Sequence, residues 1–389
     1  MKILMLTSRF GSGYGMGYAA YKEAKCLADL NHEITVAHCN SDINQYFDRR
    51  IKFIHLPIPK APLIDFVFFY FTLRKLFKTQ IQIADFDVIY IQSLEFGLLE
   101  LSKIKNPIFY FSRSTMIGMR KTLQKENIAG TFLNKINQVI LIHLEKRCMQ
   151  YAKMIFVKSK IMASEVADFY QINPQKIATI TGGIDKDDFN ASTLITNEGI
   201  RNKYSIPSAA KVVLYAGRIV PQKGLIYLIK AALELLSDHH FIVIIAGSYT
   251  NRDYLDSIMK LLHNNDYRKS FYFLGHVNQL EMSSIFNIAD CVVTPSLYEP
   301  FGMVNLQAAF LGKTVITTDI TGSVDVLRDY HNLKVIKPGS VEAIEVALKK
   351  ILITPKNNDK HDFDFSQYSW MNVAKKILEY FNLRVRKDI

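Results

Sequence analysis

Two basic side chains in the second half of the chain are spaced to bind a phosphate group. In "YAGRIVPQKG", Arg218 and Lys223 follow an apolar run and stand five residues apart. A planar guanidinium and a compact ammonium at the end of a buried strand are suited to grip a diphosphate that leaves with added negative charge. We interpret Arg218 and Lys223 as a phosphate-binding pair, the alternative being two solvated surface charges.

A carboxylate lies at a predicted strand-to-helix turn in "SLYEPFGMVNLQAAF". Glu299 precedes Pro300, which is compatible with a first helical turn, and Gly302, after which the backbone amides are open to an anion. Such a turn could hold a polyol through Glu299 while an attached phosphate lies against the helix start. Gln307 follows on the same helix, eight residues after Glu299.

Glycines alternate in a third segment, "TSRFGSGYGMGYAAYKEA", where a first strand gives way to a helix. Glycine lets a backbone approach a ligand closely, and the helix start offers free N–H groups to an anion. The spacing differs from G-x-G-x-x-G, and Asp42 is poorly placed for a ribose. A dinucleotide fingerprint is therefore a weak match. A flexible turn is the alternative.

Short β-branched and aromatic runs alternate with helix-length amphipathic segments along the whole chain. Seven such runs precede a polar stretch near residues 187–202, and six follow it. Near-continuous apolar strands alternating with helices predict parallel sheets covered on both faces. The pattern predicts two doubly wound α/β domains, and ligands of such sheets bind at the carboxyl ends of the strands, which places the site in a cleft between the domains.

Composition restricts the class of protein and its partners. Of 389 residues, 49% are apolar and 22% charged, and the four cysteines form no C-x-x-C pair, which fits a globular protein of a reducing cytosol. The net charge is +12, and a basic surface attracts anionic lipids or phosphorylated substrates. The sequence has no dense basic run, so nucleic-acid binding is not predicted. We expect no membrane-spanning segment; the aromatic and basic segment Phe66–Lys78 is either a core helix or an interfacial helix.

Three motifs in the second half of the chain resemble those of a known enzyme family. The motifs "GRIVPQKG", "LGHV" and "PSLYEPFGMVNLQAAFLGKTVITTD" resemble those of the retaining glycosyltransferases of family 4. The resemblance spans nearly the whole chain and implies the GT-B fold, with two Rossmann-like domains. It assigns residues 1–190 to an acceptor-binding domain, 196–369 to a donor-binding domain, and the last helix, within 370–389, to the first domain.

The resemblance also implies roles for individual residues. Arg218 and Lys223 match the family's phosphate-binding pair, and Glu299 matches the first acid of its E-x7-E motif, which holds sugar hydroxyls. These three are the predicted catalytic residues. Further donor-binding positions are implied at the backbone or side chains of Gly15, Gly275, His276, Phe301, Gly302, Met303, Val304 and Gln307.

Two positions depart from the family pattern. The second acid of the motif, which clasps the ribose in the family, is Gln307 here. Where the family often has a histidine after the fifth strand, this chain has Ser112, Arg113 or Ser114. We assign Ser112 and Arg113 to positioning the acceptor or the sugar. Arg113 cannot act as a base at neutral pH. In this family the leaving phosphate is thought to deprotonate the acceptor, so neither loss abolishes the chemistry.

Two D-x-D pairs, Asp85–Asp87 and Asp362–Asp364, resemble a metal motif of glycosyltransferases with another fold. The first precedes its strand and the second lies in a polar segment, so we interpret both as surface acids and expect neither a metal nor another cofactor.

The sequence therefore predicts a retaining hexosyltransferase that acts on a nucleoside-diphosphate sugar, with a UDP-sugar as the first expectation. The expected acceptor is a glycan or lipid-linked hydroxyl. The expected location is the cytoplasm, either free in the cytosol or at the inner face of a membrane. The alternatives are a non-catalytic partner subunit of a glycosyltransferase complex and a nucleotide-sugar epimerase of similar fold. A nicotinamide oxidoreductase is a more distant alternative, since it would not need the two cations.

Overall fold

The computed structural model describes residues 1–11, 15–39, 48–57, 64–125, 132–189, 195–263, 265–353 and 363–385. The chain divides into two compact units, Met1–Gly183 with Ser366–Ile389, and Ile184–Phe365. Each unit has one parallel sheet with its own apolar core, which confirms the predicted class of two parallel-sheet α/β domains.

The sheet of the first unit has seven strands, and each lies in one of the seven apolar runs. They are β1 (Lys2–Thr7), β2 (Glu33–His38), β3 (Ile51–His55), β4 (Val88–Ile91), β5 (Ile108–Phe111), β6 (Met154–Val157) and β7 (Ile177–Thr179). Their order is β3-β2-β1-β4-β5-β6-β7. Strands β4, β5 and β6 are buried along their whole length, because helices cover both faces of a parallel sheet.

The described residues of the first unit form six α-helices: α1 (Met16–Asp29), α2 (Ile64–Thr79), α3 (Met116–Lys125), α4 (Phe132–Tyr151), α5 (Lys160–Tyr170) and α13 (Trp370–Val385). The last, α13, packs on α1. Its Phe381 ring lies 4.5 Å from Phe109 and 5.4 Å from Tyr90, between ring centroids. The C-terminal helix therefore returns to the first domain, as predicted.

The second unit has a six-stranded sheet. Its strands are β8 (Lys211–Ala216), β9 (Phe241–Ala246), β10 (Phe271–Gly275), β11 (Cys291–Thr294), β12 (Thr314–Thr318) and β13 (Leu333–Ile336), in the order β10-β9-β8-β11-β12-β13. Its helices are α6 (Asn197–Lys203), α7 (Leu225–Leu235), α8 (Arg252–His263), α9 (Gln279–Ile288), α10 (Met303–Phe310), α11 (Ser323–Val326) and α12 (Val341–Ile353).

Helix α6 overlaps the polar stretch near residues 187–202, which was predicted to separate the two domains. Helix α6 begins after Thr196, whose side-chain oxygen accepts a hydrogen bond from the Gly199 amide at 3.0 Å. A threonine in this position satisfies one of the amides that a helix start leaves open. The helix has a single fully buried residue, Ile200, which is too little to produce a visible apolar period.

No helix in the described ranges is long and apolar enough to span a membrane.

Candidate functional site

Three loops at the carboxyl edge of the second sheet are joined through their backbones. The Gly217 amide donates to Ala246 O at 2.9 Å, the Ile219 amide to Ser248 O at 2.9 Å, and the Gly247 amide to Gly275 O at 2.8 Å. The loops after β8, β9 and β10 are therefore neighbours, as the strand order requires. Residues that these loops expose share one edge, where open α/β sheets bind their ligands.

The loop after β8 carries the predicted cation pair. Arg218 is exposed, and its carbonyl oxygen accepts a hydrogen bond from the Tyr215 hydroxyl at 2.8 Å. Lys223 ends a short 3-10 turn and is followed by Gly224, which has a φ of 66°. A β-carbon at Gly224 would collide with the Pro295 carbonyl oxygen, so this loop packs closely on the segment that carries Glu299.

Lys223 and Glu299 form an ion pair between these two segments. Their side chains are 22% and 15% exposed, so water screens the pair less than it would at an open surface. The Leu297 amide also donates to Gln222 O at 2.8 Å, which fixes one segment against the other. The structure thus brings together two of the three predicted catalytic side chains.

Helix α10 begins at Met303, four residues after Glu299, with Gly302 as its N-cap residue at a φ of 88°. A β-carbon at Gly302 would lie 2.8 Å from Thr321 Cγ2, so both the backbone angle and the space require glycine. The amides of Met303 and Val304 have no acceptor inside the helix, and none is found for them in the described part of the chain. Such amides can bind an anion.

Behind this helix start lies a fully buried network of hydroxyl and amide groups. Thr294 Oγ1 donates to Asn305 Oδ1 at 2.7 Å, and Asn305 Nδ2 donates to Thr317 Oγ1 at 2.9 Å and to Ser323 Oγ at 3.0 Å. All four residues are at most 7% exposed. The network joins the ends of β11 and β12 to the starts of α10 and α11, which holds the Glu299–Gly302 turn in place.

Other predicted donor-binding residues are dispersed around the same sheet edge. Gly275 has a φ of 68°, with nothing within 4 Å of a built β-carbon, and His276 beside it is exposed. Phe301 is buried, and its carbonyl oxygen accepts from the Ser323 amide at 2.6 Å. Gln307 is 7% exposed, and no hydrogen bond of its side chain is found in the described ranges. Its contact with a ribose stays a prediction.

Tyr249 is a candidate that the sequence analysis missed. It follows β9, forms an isolated parallel bridge with Ile219, and is 56% exposed. Because Ile219 directly follows Arg218, the backbone of Tyr249 lies beside the loop that carries Arg218. The sequence did contain a signal for it, since Tyr249 is an aromatic residue shortly after the end of an apolar strand, where ligands of such sheets bind.

In the first unit, Gly15 is the N-cap residue of α1, at a φ of 102°. A β-carbon there would have nothing within 4 Å, and the Gly15 carbonyl accepts from the Ala19 amide at 3.1 Å. The residues just before it, 12–14, lie outside the described residues. The structure therefore shows both sides of the predicted glycine loop, where the Gly11 amide donates to Gly17 O at 3.2 Å.

The two residues assigned to the acceptor face the interior of the first unit. Ser112 is fully buried, with its hydroxyl 3.2 Å from Ser114 O. The Arg113 side chain is 5% exposed, and its terminal nitrogen donates to both Glu23 carboxylate oxygens at 3.0 Å and to Gln92 Oε1 at 2.5 Å. In this structure Arg113 is a partner of a buried carboxylate.

Lys158, which the sequence analysis also missed, lies beside this cluster. It directly follows β6, is 6% exposed, and its ammonium has no hydrogen-bond partner in the described part of the chain. The ammonium lies 4.7 Å from the centre of the Phe111 ring. Burial, with a further contribution from the positive charge of Arg113, lowers the pKa of Lys158 to about 7.

A second buried acid supports the loop after β5. Glu145 of α4 accepts a hydrogen bond from the Met116 amide at 2.9 Å, at the first residue of α3, and another from the Tyr170 hydroxyl. Burial raises the pKa of Glu145 to about 7, against the opposing effect of these hydrogen bonds.

The predicted surface acids are only partly described. Asp85 ends a short 3-10 turn, and Asp87 Oδ2 accepts from the Lys2 amide at 2.7 Å. Asp362 lies outside the described residues. Within the described ranges, no three His, Cys, Asp or Glu side chains converge in a way that could hold a metal ion.

Comparison with known proteins decides the family. Residues 14–188 match the family model described as Glycosyltransferase Family 4, and residues 196–369 match the one described as Glycosyl transferases group 1. The chain belongs to this glycosyltransferase family. An uncharacterized glycosyltransferase of Methanocaldococcus jannaschii is 30% identical over 237 residues, which cover 59% of this chain and 60% of that protein. Across several curated relatives the matched part spans between 50% and 65% of the relative's length.

This chain shares its fold with glycosyltransferases of known structure. Sucrose-phosphate synthase from Thermosynechococcus elongatus superposes with a TM-score of 0.74 at 16% identity, covering 100% of this chain and 98% of that one. Anabaena HepE in complex with UDP-glucose superposes with a TM-score of 0.69 at 16% identity, covering 100% and 99%. These likenesses confirm the GT-B assignment of the fold.

Proposed function

We propose that this chain is a retaining glycosyltransferase that moves a sugar from a nucleoside-diphosphate sugar to an acceptor hydroxyl. The Lys223–Glu299 ion pair beside the start of α10 carries the proposal. It places a cation for a phosphate and a carboxylate for sugar hydroxyls next to the open amides of Met303 and Val304. Family membership supports the same reaction.

The proposed reaction breaks the bond between the anomeric carbon and the diphosphate oxygen, which leaves with the electron pair. Arg218, Lys223 and the α10 amides stabilise the negative charge that develops on the diphosphate. The acceptor oxygen attacks the same face of the sugar, and its proton passes to an oxygen of the leaving phosphate. Glu299 holds the transferred sugar through its hydroxyls.

The first candidate for the donor is a UDP-sugar. Support comes from HepE, which shares the fold and was solved with UDP-glucose. The exposed Tyr249 ring is suited to stacking on a nucleobase, since every base has a π-face. We further propose that transfer needs no divalent metal, because Arg218 and Lys223 supply positive charge where a metal would act.

The proposed acceptor is a hydroxyl of a glycan or a lipid-linked sugar, and the proposed location is the cytoplasm, at the inner face of a membrane. The charge of the first half supports this: residues 1–190 carry 25 Lys and Arg against 17 Asp and Glu. An excess of positive charge draws a protein to phosphorylated acceptors and to anionic leaflets alike.

A thermal-shift panel of nucleoside diphosphates and their sugars tests the proposal first. A ligand at 100 times its Kd should stabilise the protein by about 2.7 kcal/mol, which is several degrees in Tm. Turnover with the selected donor, followed by NMR of the anomeric configuration, tests the reaction itself. An inverted product would contradict retention, and the absence of any nucleotide-dependent shift would contradict the donor site.

The two alternatives give other outcomes. A partner subunit binds the nucleotide but transfers nothing with any acceptor, and the inward-facing Ser112 and Arg113 are the observation that favours it. An epimerase converts one nucleotide sugar into another without an acceptor, which NMR of the donor alone would detect.

A further inference from the structure

Helix α2 has two apolar faces, of which the unit buries only one. Phe69 and Leu73 are 2% and 1% exposed, and the Phe69 ring lies 5.7 Å from Phe96 in the core. On the other side Val67, Phe68 and Phe71 are 59%, 49% and 61% exposed. Folding of the unit therefore accounts for one apolar face and leaves the second without a partner in the described part of the chain.

The second face continues into a basic end. Arg74, Lys75 and Lys78 are all exposed. With Val67 and Phe71 they follow the spacing i, i+4, i+7, i+8 and i+11, which lies on one side of an α-helix. The aromatic groups occupy the first half of this stripe and the cations the second half. We call the six residues Val67, Phe68, Phe71, Arg74, Lys75 and Lys78 the α2 stripe.

We propose that the α2 stripe docks on the surface of an anionic lipid bilayer. The apolar half would enter the boundary between headgroups and acyl chains, and the three cations would contact anionic headgroups. The arrangement requires a surface that accepts aromatic side chains and supplies negative charge within about three helical turns, or roughly 16 Å. A bilayer with anionic lipids meets both requirements.

Charges around the stripe leave it basic. Lys103 pairs with the Glu100 carboxylate at 2.6 Å and lowers its pKa, and Arg74 and Lys78 lower it further by smaller amounts. One acid therefore lies near two cations of the stripe and near Lys103. The acid of α2 itself, Asp65, stands at the opposite end of the helix from the cations.

Charge also argues against a second copy of the chain as the occupant. In a symmetric contact each stripe would meet an identical stripe, because a two-fold interface uses the same patch on both subunits. Three cations would then lie near three cations. A bilayer supplies the opposite charge, so complementarity favours lipid.

The first experiment is co-sedimentation of the full chain with vesicles of phosphatidylcholine alone and with 30% phosphatidylglycerol, at about 50 mM salt. Wild type should bind the anionic vesicles and lose binding as salt screens the charge. The triple variant Arg74→Gln, Lys75→Gln, Lys78→Gln should lower the partition coefficient on the order of 100-fold, since each cation contributes about fivefold. Phe68→Ser with Phe71→Ser should lower it at least about tenfold.

Helix α12 of the other unit provides a matched control. It exposes Val346 at 52% together with Lys349 and Lys350. The variant Val346→Ser, Lys349→Gln, Lys350→Gln removes the same kinds of group and should bind as wild type does. If it loses binding as strongly as the α2 variants, net charge rather than the α2 stripe attracts the vesicle, and the proposal fails.

A positional readout completes the test. In Phe71→Trp, the new indole should show a blue shift and quenching by brominated lipid on anionic vesicles, whereas Val346→Trp should show neither. Wild type, whose one tryptophan, Trp370, is buried, gives the background. Equal binding to both kinds of vesicle, or α2 variants that bind as wild type does, would overturn the proposal.

Sedimentation velocity without lipid tests the rival occupant. If the wild type is a dimer, and if Phe68→Ser with Phe71→Ser dissociates it without changing vesicle binding, the stripe joins two copies. This result would also overturn the proposal. All of these measurements need neither donor nor acceptor, so their result is independent of the proposed transferase activity.

Discussion

Lys223→Ala tests the proposed donor site most directly, because the proposed reaction and the ion pair with Glu299 give this lysine two separable roles. In the proposed reaction its ammonium stabilises the leaving diphosphate. Removing one such donor typically lowers turnover about 10²- to 10³-fold, or about 2.7–4 kcal/mol of transition-state stabilisation. The KM for the donor should rise much less than kcat falls, because the interaction strengthens as charge develops.

The second role is structural and follows from the ion pair with Glu299. Without Lys223, a carboxylate that is only 15% exposed loses its cation, and leaving such a group without its partner costs about 1–3 kcal/mol. For a domain of this size each kcal/mol lowers Tm by about 2–4 °C. Adding Glu299→Gln to Lys223→Ala should restore most of the Tm by removing the unpaired charge, yet leave kcat low.

Steady-state kinetics and differential scanning calorimetry on the single and double variants check both roles. Lys230→Ala, an exposed lysine of α7 in the same unit, is the control and should change neither kcat nor Tm. Near-wild-type turnover in Lys223→Ala would refute the phosphate role. A double variant that regains activity together with stability would show that Lys223 serves only to hold the loop.

Three further outcomes are expected. Gln307→Glu should tighten UDP binding about five- to tenfold, since a charged hydrogen bond contributes roughly 1 kcal/mol more than a neutral one, and Gln307→Ala should weaken it; calorimetric titration in which neither variant changes Kd would remove Gln307 from the site. Burial raises the pKa of Glu145 from an ordinary 4.5 to about 7 in the folded protein, so the unfolded chain loses this proton at a lower pH than the folded one. The free energy of unfolding should therefore fall as pH rises from about 4.5 through 7. Glu145→Gln should therefore gain Tm relative to wild type between pH 5 and pH 8, and a pH-independent difference would contradict the raised pKa. Activity should survive EDTA; complete loss that Mn²⁺ or Mg²⁺ restores would show that a metal takes part.

Much of the fold follows from the sequence because each strand is a continuous apolar run. Runs such as "KVVLYA" and "FIVIIA" became β8 and β9, buried along nearly their whole length, and the amphipathic "WMNVAKKILEYFNLRV" became α13. The two faces of α2 were harder to separate. Its aromatic residues lie all around the helix, so only the packed structure shows that Phe69 is buried while Phe71 is exposed.

The candidate site could be predicted on the donor side because backbone geometry builds it. Gly224 and Gly302 stand where a β-carbon would collide, and Glu299 and Lys223 follow strand ends that the sheet order brings together. The polar groups that hold this turn from behind could not be predicted. Asn305 and Thr317 resemble ordinary polar residues until the structure shows them fully buried and bonded to each other.

The acceptor side shows why a residue type at a family position does not fix its role. Arg113 is one of the residues predicted to stand where the family often has a histidine, yet its guanidinium pairs with Glu23 of α1, the helix whose N-cap residue is Gly15. Arginine keeps its proton at neutral pH, and this one is already engaged in the interior, so it cannot take the proton of an acceptor hydroxyl. The ion pair therefore joins the loop after β5 to the middle of α1. If the chain transfers sugar as proposed, the proton must pass elsewhere, and the leaving phosphate oxygen is the base that every donor brings with it. In the proposed reaction, Arg218, Lys223 and the α10 amides therefore have to stabilise this phosphate both as the leaving group and as the base.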